Sequence, residues 1–286
     1  VRRLSALQLK DKMTQLTKAA RLISFAGCDA VTNMAIDEAI LECHKQGLVP
    51  TTLRLYQFAP PAVSLGYLQD LPAGIVDKAA ANGLSVVRRP TGGRAVLHVN
   101  DLTYSFVGSV SGSKGNGFGL SKSIPTSYRQ ICQGLINALA ELEVQLEMGM
   151  DSSSRPSNRG EHDCFSATTS ADLHYLGDKL IGSAQLRRHN AVLQHGSILL
   201  NQPQELMSQL VESNSPSNGK PAKKFRHANL FDIVGRQLSI QELQAALKSG
   251  FELAFASEFV PSNLTQAELD MAEKLRPKYL LITGTA

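Results

Sequence analysis

The stretch from Val86 to Phe106, VVRRPTGGRAVLHVNDLTYSF, restricts this chain more than any other part of it. An apolar strand ending in Arg88 and Arg89 runs into Pro90, which has no amide to give a sheet ladder, and the chain then turns through Gly92 and Gly93. Beyond the turn, apolar and polar residues alternate again through Ala95, Leu97 and onward, the period of a strand with one buried face. Two strands therefore meet at a glycine corner. With no Cβ in the way, such a corner allows close approach and leaves backbone N–H groups to face a ligand. A bare Gly-Gly beside an arginine is more often a plain tight turn, so the residues around it decide the reading.

Composition removes several classes of function. With 286 residues, 43% apolar and 19% charged, the chain is an ordinary globular sequence able to bury a substantial core. No apolar run approaches the roughly 18 residues of a membrane span, so no membrane partner is expected. A formal charge of +4, with its basic residues scattered, is too mild for a nucleic-acid binder. The four cysteines, Cys28, Cys43, Cys132 and Cys164, form no CxxC pair, which argues for reduced thiols in a cytoplasmic setting and against a zinc ribbon. His162, Asp163, Cys164 and His174 make poor tetrahedral ligands at that spacing, so no metal is expected.

Elements follow from periodicity. Residues 29–44 place Met34, Ile36, Ala39, Ile40 and Cys43 on one helical face, with Thr32 or Asn33 as cap and Asp37 and Glu38 early in the helix. Residues 51–58 and 62–65 read as strands, the second ending at Gly66, and 70–82 as a short helix. The glycine and serine run 110–119 is a surface loop or lid without the order of a phosphate-binding P-loop. Residues 127–144 form an amphipathic helix that makes Cys132 a packing residue, and the polar run 151–163 delivers the chain to Cys164. Strands over 172–176 and 180–186 form a hairpin across Gly177-Asp178, and 192–200 is a further strand containing Gly196. Helices are expected over 204–212, 239–256 and 265–275, with a polar loop at 213–224 and Pro261 between the last two helices.

Three phrases resemble the lipoate-protein ligase, octanoyltransferase and biotin-ligase superfamily: NMAIDEAI with LRLYQFAPPAVSLGYLQ, RRPTGGRAVLH with DLTYSF, and CFSATTSADLHYLGDKLIGSAQLRRHNAVLQHGSILL. The likeness spans roughly Phe25 to Leu200. Arg94, where the ATP-using ligases usually carry another glycine, is more similar to the octanoyltransferase branch. The chain departs from the usual pattern at Thr168-Thr169 and at Val99-Asn100. The resemblance implies an α/β (α+β) fold of the class II synthetase and biotin/lipoate ligase kind, a mixed, largely antiparallel sheet flanked by helices. Residues 1–24, with basic and apolar residues at helical spacing and little acid, read as a helical N-terminal extension rather than a targeting peptide, added to a single catalytic domain over 25–286 with a helical C-terminal part. Gly66, Arg89, Thr91, Gly92, Gly93, Arg94, His98, Gly182, Ser183, Ala184, His195 and Gly196 would contact substrate, with His98 and His195 lining a pocket rather than acting as base.

The same resemblance gives Cys164 and Lys179 the chemistry. A free cysteine is only about 3% thiolate at neutral pH, and an ammonium about 4 Å away favours the thiolate by up to ~4 kcal/mol at an effective dielectric near 20. Cys164 would take octanoyl from acyl carrier protein as a thioester and pass it to a lysine of a lipoyl domain, such as the glycine cleavage H protein, without ATP or any other cofactor. Backbone amides about Gly182 to Ala184 would join Lys179 at the oxyanion. Arg88, Arg89, Arg94, Arg187 and Arg188 would stand at the entrance, where an acidic protein partner arrives. The rival readings are an amidotransferase working between lipoyl domains, an ATP-dependent lipoate-protein ligase, and a non-catalytic acyl or lipoyl binder.

Overall fold

The computed structural model describes residues 20–24, 27–71, 74–110, 119–149, 172–203, 206–211 and 227–280. Cys164, residues 111–118 and 212–226, the polar run at 151–163 and residues 1–19 lie outside them. In chain order the elements are β1 (Ala20–Ser24), α1 (Ala30–Lys45), β2 (Thr52–Tyr56), β3 (Ala62–Leu65), α2 (Ile75–Ala81), β4 (Ser85–Arg88), β5 (Val96–His98), β6 (Asp101–Ser109) and α3 (Ile124–Ala140). There follow β7 (Glu147–Met148), β8 (Leu173–Tyr175), β9 (Asp178–Arg188), β10 (Ala191–Leu199), α4 (Leu206–Val211), α5 (Leu230–Val234), α6 (Ile240–Phe255), β11 (Phe259–Pro261) and α7 (Gln266–Tyr279).

Eight strands form one sheet in the order β11-β1-β2-β6-β10-β9-β8-β7, and three more form a small sheet, β4-β3-β5. In the large sheet the pairs β11–β1 and β1–β2 are parallel and the rest antiparallel, so the sheet is mixed and mostly antiparallel, as expected. Alternation along β6 and β10 sorts the two faces. Leu102, Tyr104, Phe106, Val192 and Ile198 pack on α3 and α6 through Ile131, Leu135, Leu247 and Phe251. Val107 and Leu193 face the other way, onto α1 and α7 with Met34, Ile40 and Ala272. The small sheet buries Val63, Leu65 and Leu97 against Ile75, Ala79 and Met207.

Several boundaries differ from the sequence reading. Ala20–Ser24 is a strand rather than the end of a helical extension, held between β11 and β2. Helix α1 is capped by Asp29, whose Oδ1 accepts from Thr32 N at 2.9 Å, and not by Thr32 or Asn33. Asn33 instead donates to the carbonyls of Cys28 and Gln57, at 2.9 and 3.0 Å. Asp37 and Glu38 fall past the first turn and are buried, each facing cations from other elements. The alternating run after the glycine corner is broken at Asn100, which has φ of 50°, so β5 joins the small sheet and β6 the large one. Helix α3 ends at Ala140, which leaves Leu142 outside it, and α7 runs on to Tyr279 with Pro277 inside.

Candidate functional site

The glycine corner sits where the small sheet meets the large one. Gly66, at the end of β3, is required there: a Cβ on it would lie 1.8 Å from Gly93 O. Arg88 and Arg89 hold the corner rather than a partner. Arg88 Nη1 donates to the carbonyls of Gly66 and Gln69 at 2.7 and 2.6 Å. Arg89 is buried and donates to Ser64 O at 2.9 Å and to Gly92 O and Arg94 O at 2.7 Å each. The other expected entrance pair is also used internally. Arg187 donates to Lys122 O at 2.6 Å and Ser121 O at 2.9 Å, and Arg188 pairs with Glu38 at 2.5 Å and Glu42 at 2.7 Å. The expectation of a basic rim for an acidic partner is corrected for these four: Arg88, Arg89 and Arg187 satisfy several backbone carbonyls at once, and Arg188 is paired with two carboxylates of α1.

Beside the corner lies a cavity of about 370 Å³, counting the space open to solvent. Met34, Tyr56, Phe58 and Val96 give it apolar wall. Of the residues expected to contact substrate, Arg89, His98, Gly182, Ser183, Ala184, His195 and Gly196 line it. Gly196 lets β10 lie flat against β9, since a Cβ would come within 2.5 Å of Gly182 O and of Ser183 Oγ. Past Ile181, β9 has a partner strand on one side only among the described residues, which leaves alternate backbone groups of its outer edge unused by the ladder.

Two buried imidazoles face this cavity, each in a three-part chain. His195 Nδ1 is 3.0 Å from Asp37 Oδ2, and its Nε2 is 2.6 Å from Thr91 Oγ1. His98 Nδ1 is 2.8 Å from Asp101 Oδ2, and its Nε2 is 2.9 Å from Ser64 Oγ. A carboxylate at Nδ1 assigns the proton there, so in both rings Nε2 accepts from the hydroxyl. Burial pushes His195 below its ordinary value, against the pull of Asp37. Burial works to raise the Asp37 carboxyl, but Arg54, His195 and Tyr56 outweigh it and hold it low. Arg54 Nη1 is 2.6 Å from Asp37 Oδ1, and both side chains are fully buried. Thr91 thereby ties the corner to α1, β2 and β10.

Lys179 does not line the cavity. It is buried on β9, its Nζ 2.9 Å from Asp172 Oδ1, and Asp172 is buried too. Two other thiols are packing residues: burial raises Cys43, and it pushes Cys132 up to about 12, so neither offers a thiolate. Among the described residues no group of three metal-ligating side chains is gathered.

Sequence reasoning singled out neither Ser64, Asp37, Asp101 nor Asp172. The signal for Asp37 was present: an acid flanked at helical spacing by Met34, Ile40 and Leu41 has to find a buried partner. The acids at 101 and 172 carry no such pattern, because each stands at the edge of a strand.

A model of the lipoyl protein ligase A/B catalytic domain matches residues 29–252. The octanoyltransferase LipM of Kyrpidia tusciae is 38% identical over 270 residues, 91% of this chain and 96% of that protein. LipM of Clostridioides difficile is 35% identical over 271 residues, 91% and 95% of the two. Among solved structures, a lipoate-protein ligase A bound with ATP superposes with a TM-score of 0.72 at 26% identity, covering 91% of this chain and 95% of that one. The T. acidophilum protein Ta0514 with bound lipoic acid gives 0.71 at 25% identity, with the same coverage. On sequence and on fold alike, the chain belongs to the lipoyl protein ligase A/B catalytic-domain family, alongside the LipM octanoyltransferases.

Proposed function

We propose that this chain is an octanoyltransferase of lipoate biosynthesis, taking octanoyl from acyl carrier protein onto Cys164 as a thioester and passing it to a lysine of a lipoyl-domain protein such as the glycine cleavage H protein. The observation that carries the reading is the cavity beside the glycine corner, apolar along Met34, Tyr56, Phe58 and Val96 and polar where β9 and β10 meet it. An eight-carbon chain gains about 0.8 kcal/mol per buried CH₂, several kcal/mol in all, enough to retain a medium acyl group between two protein partners. The relatives bearing the LipM name supply the acyl group's identity.

In the first step the Cys164 thiolate attacks the donor thioester, the carbon–sulfur bond to the phosphopantetheine breaks, and that thiolate leaves. In the second the acceptor amine displaces Cys164 and an amide forms. Thioester to thioester is nearly isoenergetic and thioester to amide is downhill, so the sequence runs without ATP. Lys179 supplies a fixed positive charge to the developing oxyanion, with donors from the outer edge of β9 about Gly182 to Ala184. Gly66, Thr91, Gly92, Gly93 and Arg94, expected to contact substrate, form the corner beside the cavity but do not line it.

The likeness to an ATP-bound ligase favours a second reading, acyl activation as an adenylate. One experiment separates the two. The purified protein is incubated with octanoyl-acyl carrier protein without ATP and its intact mass is measured, then again for Cys164→Ser and Lys179→Ala. An octanoyl adduct on the wild type, absent from Cys164→Ser and slowed in Lys179→Ala, is the expected result. No adduct, with modification of the lipoyl domain only from free octanoate and ATP, would establish the ligase. Loading from an octanoylated H protein but not from acyl carrier protein would establish the amidotransferase.

A further inference from the structure

By residue name the cavity is half polar, yet its polar groups are turned into its walls. Arg89 directs its donors to Ser64 O at 2.9 Å and to Gly92 O and Arg94 O at 2.7 Å each. Ser197 Oγ and Thr103 Oγ1 donate to Asp101 Oδ2 at 2.6 and 3.2 Å, and Tyr56 OH donates to Asp37 Oδ2 at 2.8 Å. Each imidazole has both nitrogens in hydrogen bonds to protein: His98 to Asp101 and Ser64, His195 to Asp37 and Thr91. What these side chains turn toward an occupant is mostly carbon, and their polar ends hold the cavity together.

The cavity is built between two sheets. Ser64, Val96 and His98 belong to the small sheet, and Tyr56, Ala184 and His195 to the large one. Met34 of α1 and Tyr56, each 1% exposed, form its closed side, while Ser183 and Ala184 are half-buried and form its open one. Thr91 does not line the cavity, but it joins the two sheets. Arg88 and Arg89 fasten the glycine corner to β3 and to the turn after it. The Thr91 hydroxyl, 2.6 Å from His195 Nε2, fastens the corner to β10. Beyond it Gly92 and Gly93 are exposed, and a Cβ on Gly92 would meet no atom within 4 Å, so little packing holds the tip. From His195 the bonds run on through Asp37 to Tyr56, and Met34 stands one turn before Asp37 on α1. Asp37 is itself pinned by Arg54 at 2.6 Å, an anchor that Asp101 behind His98 lacks among the described residues. One run of hydrogen bonds thus links the corner to both residues of the closed side.

From this arrangement we infer that Thr91 and His195 are positioning residues that set the width of the cavity, and through it how sharply the site measures the length of an acyl chain. This role rests on the acyl-transfer reading above, but not on the atom to which the acyl group is attached during transfer. With the Thr91–His195 clasp closed, a tail longer than the cavity meets Met34 and Tyr56 held in place. With the clasp open, the corner and the small sheet can move away from β10, so a longer tail is admitted and a shorter one loses contact.

Competition between donors reads this directly. The full-length protein is given hexanoyl-, octanoyl-, decanoyl- and dodecanoyl-acyl carrier protein in equal amounts with an apo lipoyl domain, and the acyl groups transferred are identified by intact mass. Thr91→Val keeps the shape of the side chain and removes its hydroxyl. The preference for octanoyl over dodecanoyl is expected to fall on the order of tenfold, the discrimination that a methylene carries in a fitted apolar pocket, and Thr91→Ser is expected to restore it. Should Thr91→Val not fold, Thr91→Cys, whose thiol is a weaker donor, is expected to show a smaller loss in the same direction. An unchanged chain-length profile, equal slowing of all four donors as a merely structural residue would give, or no recovery in Thr91→Ser would overturn the clasp and leave acyl transfer standing. A wild type that transfers from none of the four donors would instead overturn the acyl-transfer reading itself.

Discussion

Replacing Asp37 by asparagine tests the charge network that ties the glycine corner to the rest of the fold. Three donors converge on this carboxylate: Arg54 Nη1 at 2.6 Å on one oxygen, and Tyr56 OH at 2.8 Å and His195 Nδ1 at 3.0 Å on the other. Asparagine keeps the shape but offers one acceptor and turns an NH₂ toward donors. The fully buried Arg54 guanidinium, also stacked 3.8 Å over the Tyr56 ring, loses its counter-charge. Removing one member of a buried pair costs about 3–5 kcal/mol, much of it the penalty of the charge left behind. For a chain of this size that lowers the melting temperature by roughly 6–10 °C. Tyr56→Phe removes one donor and leaves the ion pair whole, so it should cost only about 1.5–3 kcal/mol. The double variant Asp37→Leu with Arg54→Met, which deletes both charges, should be less destabilised than Asp37→Asn alone. Urea unfolding followed by circular dichroism measures all three. If Asp37→Asn costs under about 1 kcal/mol, or the double variant is the worst of the set, the buried charge is not what the network is for.

Two further expectations follow from other contacts. Gly66→Ala puts a methyl 1.8 Å from a carbonyl oxygen that cannot rotate away, so the corner has to shift. The cost is about 1–3 kcal/mol in stability, with transfer slowed on the order of 10²-fold; a variant transferring at the wild-type rate would free the corner of any role in placing the acyl group. Acid should weaken the fold early. Burial holds His44, His174, His195 and His227 below the ordinary 6.5, so as pH falls past that value the unfolded chain takes up protons that the folded chain refuses. Stability is then whole above about pH 7 and declines below it, by at most about 1.4 kcal/mol per pH unit for each ring that stays neutral in the folded chain. A flat or opposite trend between pH 7 and 5.5 in urea midpoints counts against these rings being neutral in the native state.

What the sequence allowed to be read follows the reach of each interaction. The strand at Ala62–Leu65 and the hairpin of β8 and β9 were legible because alternation and a turn glycine are local signals. The turn itself sits at Leu176-Gly177, both at positive φ, one residue earlier than expected. β1 was not legible: ARLIS has no clean alternation, and its parallel partner, starting at Phe259, lies at the far end of the chain. The arginines were misread for a related reason. Their partners are mostly backbone carbonyls, which leave no mark in the sequence, so a structural fork looks the same as a free surface charge. The histidines at 98 and 195 could be placed on the pocket, but the difference between them could not. It depends on whether an arginine stands behind the acid, and Arg54 belongs to a strand distant from both rings in sequence.

Asp172 also changes what Lys179 can do for a thiolate. An isolated ammonium 4 Å from a thiolate would be worth about 4 kcal/mol at an effective dielectric near 20; a carboxylate 2.9 Å from the ammonium, as Asp172 is, would take back about 2.4 kcal/mol where it stands on the side away from the sulfur. Roughly half the attraction survives at contact, and it falls faster with distance than that of a lone charge. Such a field acts on a reacting centre seated against Nζ and on little else. The opposite end of the pair has the reverse effect: Cys132, raised mainly by burial, is raised further by the Asp172 charge and stays a thiol. Under the proposed acyl-enzyme reading, a paired lysine would be a weaker ioniser than a bare one but a more selective one, and with Asp172 holding Nζ in place little reorganisation would be needed as charge develops on the substrate oxygen.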